Sequence, residues 1–194
     1  KEYRRQRQMC IRDRQSIVNS MGVFVSAAFA AVNRIDDFAY MPQQNIAHAM
    51  TALMAQNKGA KKTDRIKAAF RCGMKIELFY GIFIFFVCFF LAHPLMQLFS
   101  NDPVVCKHGV TYLKLISLMY LFPAVTNGVQ GYFRGIGDLK ITLISSFVNM
   151  SVRVIFAAVL VFHFSLQIEA LPFSYLAGWI GMLLAEVPLL LRKF

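Results

Sequence analysis

Two sets of polar side chains stand inside otherwise apolar sequence, and their spacing is the first thing to explain. In Ile141–Phe164, Thr142, Ser145, Ser146, Asn149 and Arg153 recur at intervals of three and four. On a helix that spacing gathers them on one face. Arg153 follows Ile141 by twelve residues, roughly 18 Å at 1.5 Å per residue. In hydrocarbon, a central Arg exposed to lipid costs at least about 2.5–3.5 kcal/mol, so it must face protein or water. Such a face either bonds neighbouring helices and holds a bundle together, or walls a cavity where it contacts substrate or senses charge. The second set lies in Phe24–Gln56, where Asp36, Tyr40, Gln44, His48 and Thr51 share a face with Asp37 and Gln43 beside it. Asn127 and Gln130 close a third apolar stretch, Gly109–Gly131.

Whether Asp36 pairs with Arg153 is open at this level. Counting back from Gln56, Asp36 lies roughly 30 Å from the end that Gln44 and Arg153 approach to roughly 18 Å. A kink at Pro42 would shift that register by a turn. Arg34 and Asp37 can instead pair with each other. The candidate pathway residues are therefore Asp36, Asp37, Tyr40, Gln43, Gln44, Asn127, Gln130, Asn149 and Arg153. His48 reads more simply as a packing or hydrogen-bonding residue than as a proton relay.

Other chemistry finds little support. Cys10, Cys72, Cys88 and Cys106 include no C-x-x-C pair, so no zinc or redox site and no other metal centre is expected. No Ser-His-Asp set, H-E-x-x-H or carboxylate pair with a nucleophile is visible. Gly135-Ile136-Gly137 lacks the preceding strand and the following Lys-Ser/Thr of a phosphate cradle. The chain reads as neither an enzyme nor a cofactor carrier. Its net charge of +11 would suit nucleic acid, but the basic residues sit where loops belong.

The elements that position these residues are set by Leu78–Ala92, LFYGIFIFFVCFFLA, which has no charge and no polar stripe. Extended through Pro94–Phe99 it exceeds the ~20 residues that cross a ~30 Å hydrocarbon core. In that medium backbone groups must be paired within helices or a closed barrel, and no period-two alternation supports a barrel. The expected spans are Phe24–Gln56, Ile76–Phe99, Gly109–Gly131, Ile141–Phe164 and Pro172–Leu191. Gln15–Ser20 reads as the stub of a sixth. Lys114 is placed to snorkel to an interface. Between the spans, Asn57–Lys75 holds seven basic residues against Asp64, Ser100–His108 holds Lys107, and Tyr132–Lys140 holds Arg134 and Lys140. Ser165–Leu171 holds none, and Arg192–Lys193 follow the last span. Basic loops collect on the cytoplasmic side. The alternation predicts an all-α, multi-pass protein of the cell membrane with a cytoplasmic C-terminus. Lys1–Arg14, KEYRRQRQMCIRDR, does not fit this scheme. It resembles translated sequencing-adapter DNA at the end of an assembled fragment, the alternative being a basic cytoplasmic tail, and the fold is assigned to residues 15–194.

The segment FAAVNRIDDFAYMPQQNIAHAMTALMAQNKGAKKTDRIKAAFR resembles a stretch of the multidrug and toxic compound extrusion (MATE) transporters that reads loosely A-x-x-R/K-I-E-x-x-x-x-M-P … Q-N-x-G-A-x-x-x-x-R. GYFRGIGDLKITLISSFVNMSVRV resembles their later G-x-x-R-G-x-G … N-x-x-x-R stretch. The resemblance covers about Gln15–Phe194. It implies one lobe, the C-terminal one, of a twelve-helix antiporter, with five full transmembrane helices and the remnant of a sixth. It also implies a missing N-terminal lobe as partner, amphipathic or cationic small molecules as substrates, and exchange for Na+ or H+. Asp36 stands where many members carry Glu. The acidic cation-site positions on the Gly109–Gly131 helix are empty of Asp and Glu here, so the coupling ion is not assigned. The alternatives are a lipid-linked oligosaccharide flippase of the same broad fold, which calls for several deep cations where only Arg153 is present, and a non-transporting membrane subunit.

Overall fold

A computed structural model describes residues 23–162 and 170–192. Lys1–Arg14, the Gln15–Ser20 stub and most of the expected turn at Ser165–Leu171 lie outside the described residues. Among those residues the chain is helical, with no strand. The helices are α1 (Val23–Gly59), α2 (Thr63–Phe90), α3 (Ala92–Gln97), α4 (Pro103–Ser117), α5 (Leu121–Gly135), α6 (Leu139–Phe162) and α7 (Ala170–Leu191).

Three of them, over Thr63–Phe90, Leu139–Leu160 and Pro172–Leu191, are long and apolar enough to cross a membrane. Helices α4 and α5 meet that test together, as a pair bent by 49°. Helix α1 has 37 residues, about 55 Å at 1.5 Å per residue, and is long enough but too polar to qualify. Its buried stripe, including Val25, Phe29, Val32, Ala39, Gln43, Ala47, Met50 and Met54, is wrapped by α2, α4 and α5. Apolar side chains elsewhere point outward. Along α2, Ile76, Phe79, Phe83, Phe86 and Phe90 form an exposed ridge, which suits lipid rather than water.

Several boundaries differ from the sequence reading, each for a local reason. The span expected over Ile76–Phe99 is broken at Leu91. Pro94 has no N–H to bond the carbonyl of Phe90 and crowds it, so α2 ends there and α3 starts anew. The basic stretch Asn57–Lys75 is mostly not loop, because α2 begins at Thr63 with Asp64 in its first turn, where a negative charge favours the helix N-terminus. The expected Ser100–His108 turn is shorter. Asp102 accepts from the backbone N–H groups of Val104 at 2.8 Å and Val105 at 3.3 Å, with Pro103 in the first turn. Those are the marks of a helix start.

Gly109–Gly131 is likewise two helices. Pro123 cannot bond the Met119 carbonyl, and Phe122 N–H takes it instead at 3.0 Å, tightening the chain at the bend. Pro42, by contrast, is carried inside α1 without interrupting it.

Helix α5 runs four residues beyond Gly131 and ends in a closed cap. Asp138 N–H bonds Phe133 O at 2.8 Å and Gly137 N–H bonds Arg134 O at 3.0 Å, with Gly137 at φ 77°. This is the Schellman arrangement, and it accounts for the Gly135-Ile136-Gly137 turn without any ligand. The same pattern closes α1, where Lys62 N–H bonds Asn57 O and Lys61 N–H bonds Lys58 O, both at 3.0 Å. Here Lys61, not a glycine, has φ 56°; Gly59, expected as the stop, is the last helical residue.

Candidate functional site

Helix α1 runs antiparallel to α2 and parallel to α5. A methyl group on Gly73 would strike Met50, and one on Gly81 would meet Gln43 and Ala124. Gly131 and Gly135 of α5 lie against the backbone of Ala47 and Thr51, and Thr51 Oγ1 bonds both Ala47 O at 2.8 Å and Gly131 O at 3.2 Å. This close approach aligns the polar residues of α1 and α5 in register.

One turn further out the register produces the first polar contact of the interior. Tyr40 hydroxyl donates to Asn127 Oδ1 at 3.0 Å. Tyr40 adjoins Gln44 and lies within electrostatic range of both Arg153 and Asp36. Asp36 and Cys88 also flank the hydroxyl of Tyr120, which is buried at the α4–α5 bend. Gln43 is fully buried and its Nε2 reaches Tyr120 O at 3.5 Å. The structure thus brings together Asp36, Tyr40, Gln44 and Asn127, with Gln43 alongside, and leaves Arg153 within electrostatic range of Tyr40 on a helix that does not pack on α1. It leaves Asp37 and His48 exposed, because the face drawn from the sequence is wider than the strip α1 buries.

Arg153 is half-buried in α6, and α7 shapes its surroundings. Gly178 lets the arginine stem cross the α7 backbone; a methyl group there would lie 2.5 Å from Arg153 Cγ and 3.0 Å from Asn149 O. The guanidinium then sits 4.3 Å from the ring centre of Tyr175 and 4.9 Å from that of Trp179. Both distances are within cation–π range. The other predicted members form a seam below. Gln130 Nε2 donates to Ser146 Oγ at 3.2 Å, and Asn149 Nδ2 approaches Met182 Sδ at 3.2 Å. Gln130, Ser145, Ser146 and Asn149 thus tie helices together, while Arg153 packs on α7 with its charge within electrostatic range of Tyr40.

Two residues escaped the sequence reading. Glu186 of α7 is fully buried and accepts a 2.6 Å hydrogen bond from Ser145 Oγ. Glu77 of α2 is fully buried as well. The signal was present in both cases, a single acid within an apolar span. Glu77 stands one residue before the charge-free run and was absorbed into its margin. No group of three or more His, Cys, Asp or Glu side chains suited to a metal occurs among the described residues.

Among the described residues, helices long and apolar enough to cross a membrane carry exposed apolar ridges and pack around a polar interior, which is the architecture of a helical membrane protein. The chain belongs to the MatE family, whose model matches residues 15–159. It is 25% identical over 150 residues, 77% of the chain and 31% of the relative, to "Probable multidrug resistance protein NorM" of Thermotoga maritima. It is 26% identical over 167 residues, 86% of the chain and 35% of the relative, to "Probable multidrug resistance protein YoeA" of Bacillus subtilis. The chain thus spans about a third of the length of these curated relatives. Its fold is similar to that of a multidrug resistance MATE family transporter solved in an outward-facing conformation, with TM-score 0.90 at 11% identity over 97% of this chain and 42% of that one.

Proposed function

We propose that this chain forms the C-terminal lobe of a multidrug efflux antiporter in the cell membrane, exchanging amphipathic, often cationic compounds for Na+ or H+. Membership of the MatE family and the names of its relatives support a transport role over a catalytic one. The observation that carries the finer reading is the polar cluster where α1 meets α5, with the charge of Arg153 on α6 within electrostatic reach of it. A carboxyl (Asp36), a phenol (Tyr40) and an amide (Asn127) come together there, within electrostatic or hydrogen-bond range of Tyr40. Polar and ionisable groups at such depth in a membrane are rare and mark substrate or ion pathways. A substrate entering between this lobe and an opposing one would contact these groups, and alternating access requires both lobes.

The test is export of ethidium by cells expressing the complete transporter. Arg153→Ala is expected to lower export while membrane expression stays at the wild-type level. Wild-type export from the variant would remove Arg153 from the pathway and leave it a packing residue.

A further inference from the structure

We infer that Glu77 is a proton-exchanging carboxyl of this lobe, loaded and unloaded during transport; the inference rests on the antiport reading above and names its ion. Glu77 lies on the packed face of α2, bracketed on both neighbouring helices. Toward α1, Gly73 backs onto Met50 and Gly81 onto Gln43, one turn to either side. Toward α5, Met74 covers Gly128 and Gly81 meets Ala124. The carboxyl is therefore enclosed at the α1–α2–α5 junction, has no solvent exposure, and neither of its oxygens has a hydrogen-bond partner among the described residues. Oε1 of the equally buried Gln43 is also without one.

The titratable and charged groups on the packed elements are engaged or placed elsewhere. Tyr40 donates to Asn127, and Tyr80 donates to Ala39 O. Arg134 bonds Gln130 O, and Lys114 lies over the Phe89 ring. Tyr120 stands beside Asp36 and Cys88, Tyr132 packs on Phe70, and His48, Lys75 and His93 are exposed.

An anionic carboxylate with neither countercharge nor donor is strongly disfavoured in such a place. Two occupants could relieve it, a proton or a small metal cation. A hard cation takes about six or more oxygens, whereas the bracketing groups here are methionine, alanine and glycine with the single amide of Gln43. The proton needs only the carboxyl itself: an O–H bond forms on Glu77 when H+ arrives from water, and breaks when H+ returns to it. Methionine side chains, Met50 beside Gly73 and Met74 beside Gly128, fill the space around the site, so H+ reaches the carboxyl when these flexible side chains move. Glu186 differs, because Ser145 already supplies a donor.

The experiment uses the complete transporter in liposomes, with ethidium flux driven separately by a pH gradient and by a Na+ gradient. Wild-type protein is expected to move ethidium with the pH gradient, and Glu77→Gln to reduce that flux to the level of empty liposomes while Glu186→Gln retains it. Wild-type flux from Glu77→Gln would overturn the inference and leave a permanently neutral structural carboxyl. A Na+-driven flux lost in Glu77→Gln would overturn it in favour of a metal ion. No ethidium flux from wild type under either gradient would overturn the antiport reading for this substrate, and the inference would then stand or fall on labelling of the wild-type protein. Dicyclohexylcarbodiimide, which modifies protonated carboxyls in lipid, is expected to label Glu77 at neutral pH without protection by Na+. Absence of the adduct, or protection by Na+, would refute the proton assignment even if Glu77→Gln fails to fold.

Discussion

Lys61 holds a backbone conformation that costs an L-residue roughly 1–2 kcal/mol, at φ 56° in the cap that closes α1. Its counterpart at the end of α5 is Gly137, at φ 77°. Lys61→Gly removes the steric cost but adds about 0.4–1 kcal/mol of unfolded-chain entropy. The expected net gain is about 0.5 kcal/mol, read as a higher apparent Tm in detergent with transport unchanged.

Arg153 makes a sharper case. Its planar guanidinium lies against Tyr175 and Trp179, and a lysine keeps the charge but not the stacking. Arg153→Lys is therefore expected to recover only part of the export lost in Arg153→Ala. Full recovery would show that charge alone matters. That Arg153 faces protein rather than lipid was legible from its depth and from the spacing of its face. The rings it touches were not, because Tyr175 and Trp179 belong to another helix and nothing in the local pattern of α6 points to them.

Glycines fix how closely the helices approach. On α5, Gly131 and Gly135 lie one turn apart, and a methyl group on them would sit 2.9 Å from Ala47 O and 3.0 Å from Thr51 O. Backbone cannot move aside as a side chain can, so Gly131→Ala must push α1 and α5 apart. It would weaken the Thr51–Gly131 hydrogen bond and disturb the Tyr40–Asn127 contact above it. The expected outcome is a loss of about 1–3 kcal/mol, seen as reduced thermal stability in detergent and accompanied by lower export. Gly73→Ala meets only the flexible end of Met50 and should be milder.

At this scale the sequence was readable where one physical term dominated. The charge-free Leu78–Ala92 run declared a helix in lipid or in a protein interior within it, and α2 carries that run as far as Phe90. Helix breaks were harder to place. Pro42, Pro94 and Pro123 are the same residue type, yet α1 continues through Pro42 while the chain breaks near the other two. Tertiary packing decides which lost backbone bond is tolerated. Glu77 remained unseen for a related reason, since its enclosure depends on two partners distant in sequence.

In the whole molecule, the basic connectors meet at one end. Lys58 Nζ donates to Ile136 O, so the turn after α1 and the turn after α5 touch across 78 residues of chain. The Leu98–Asp102 connection lies at the far end of α2. The alternation of Lys and Arg counts along the sequence is thus matched by contact in space, which charge counting alone could not provide. Orientation relative to the membrane still rests on the preference of basic loops for the cytoplasm.

That orientation is open to direct measurement. In the complete transporter with its native cysteines replaced by serine, Lys61→Cys and Lys140→Cys should both resist a membrane-impermeant maleimide applied to intact cells. Both should react once the cells are permeabilised, whereas Asn101→Cys should react from outside. Reaction of all three with the opposite sidedness would invert the lobe. It would place the Asp36–Tyr40 level nearer the cytoplasm than the Lys58–Ile136 contact. Labelling of Lys61→Cys and Lys140→Cys from different sides cannot be reconciled with the hydrogen bond that joins their turns, and would refute the fold itself.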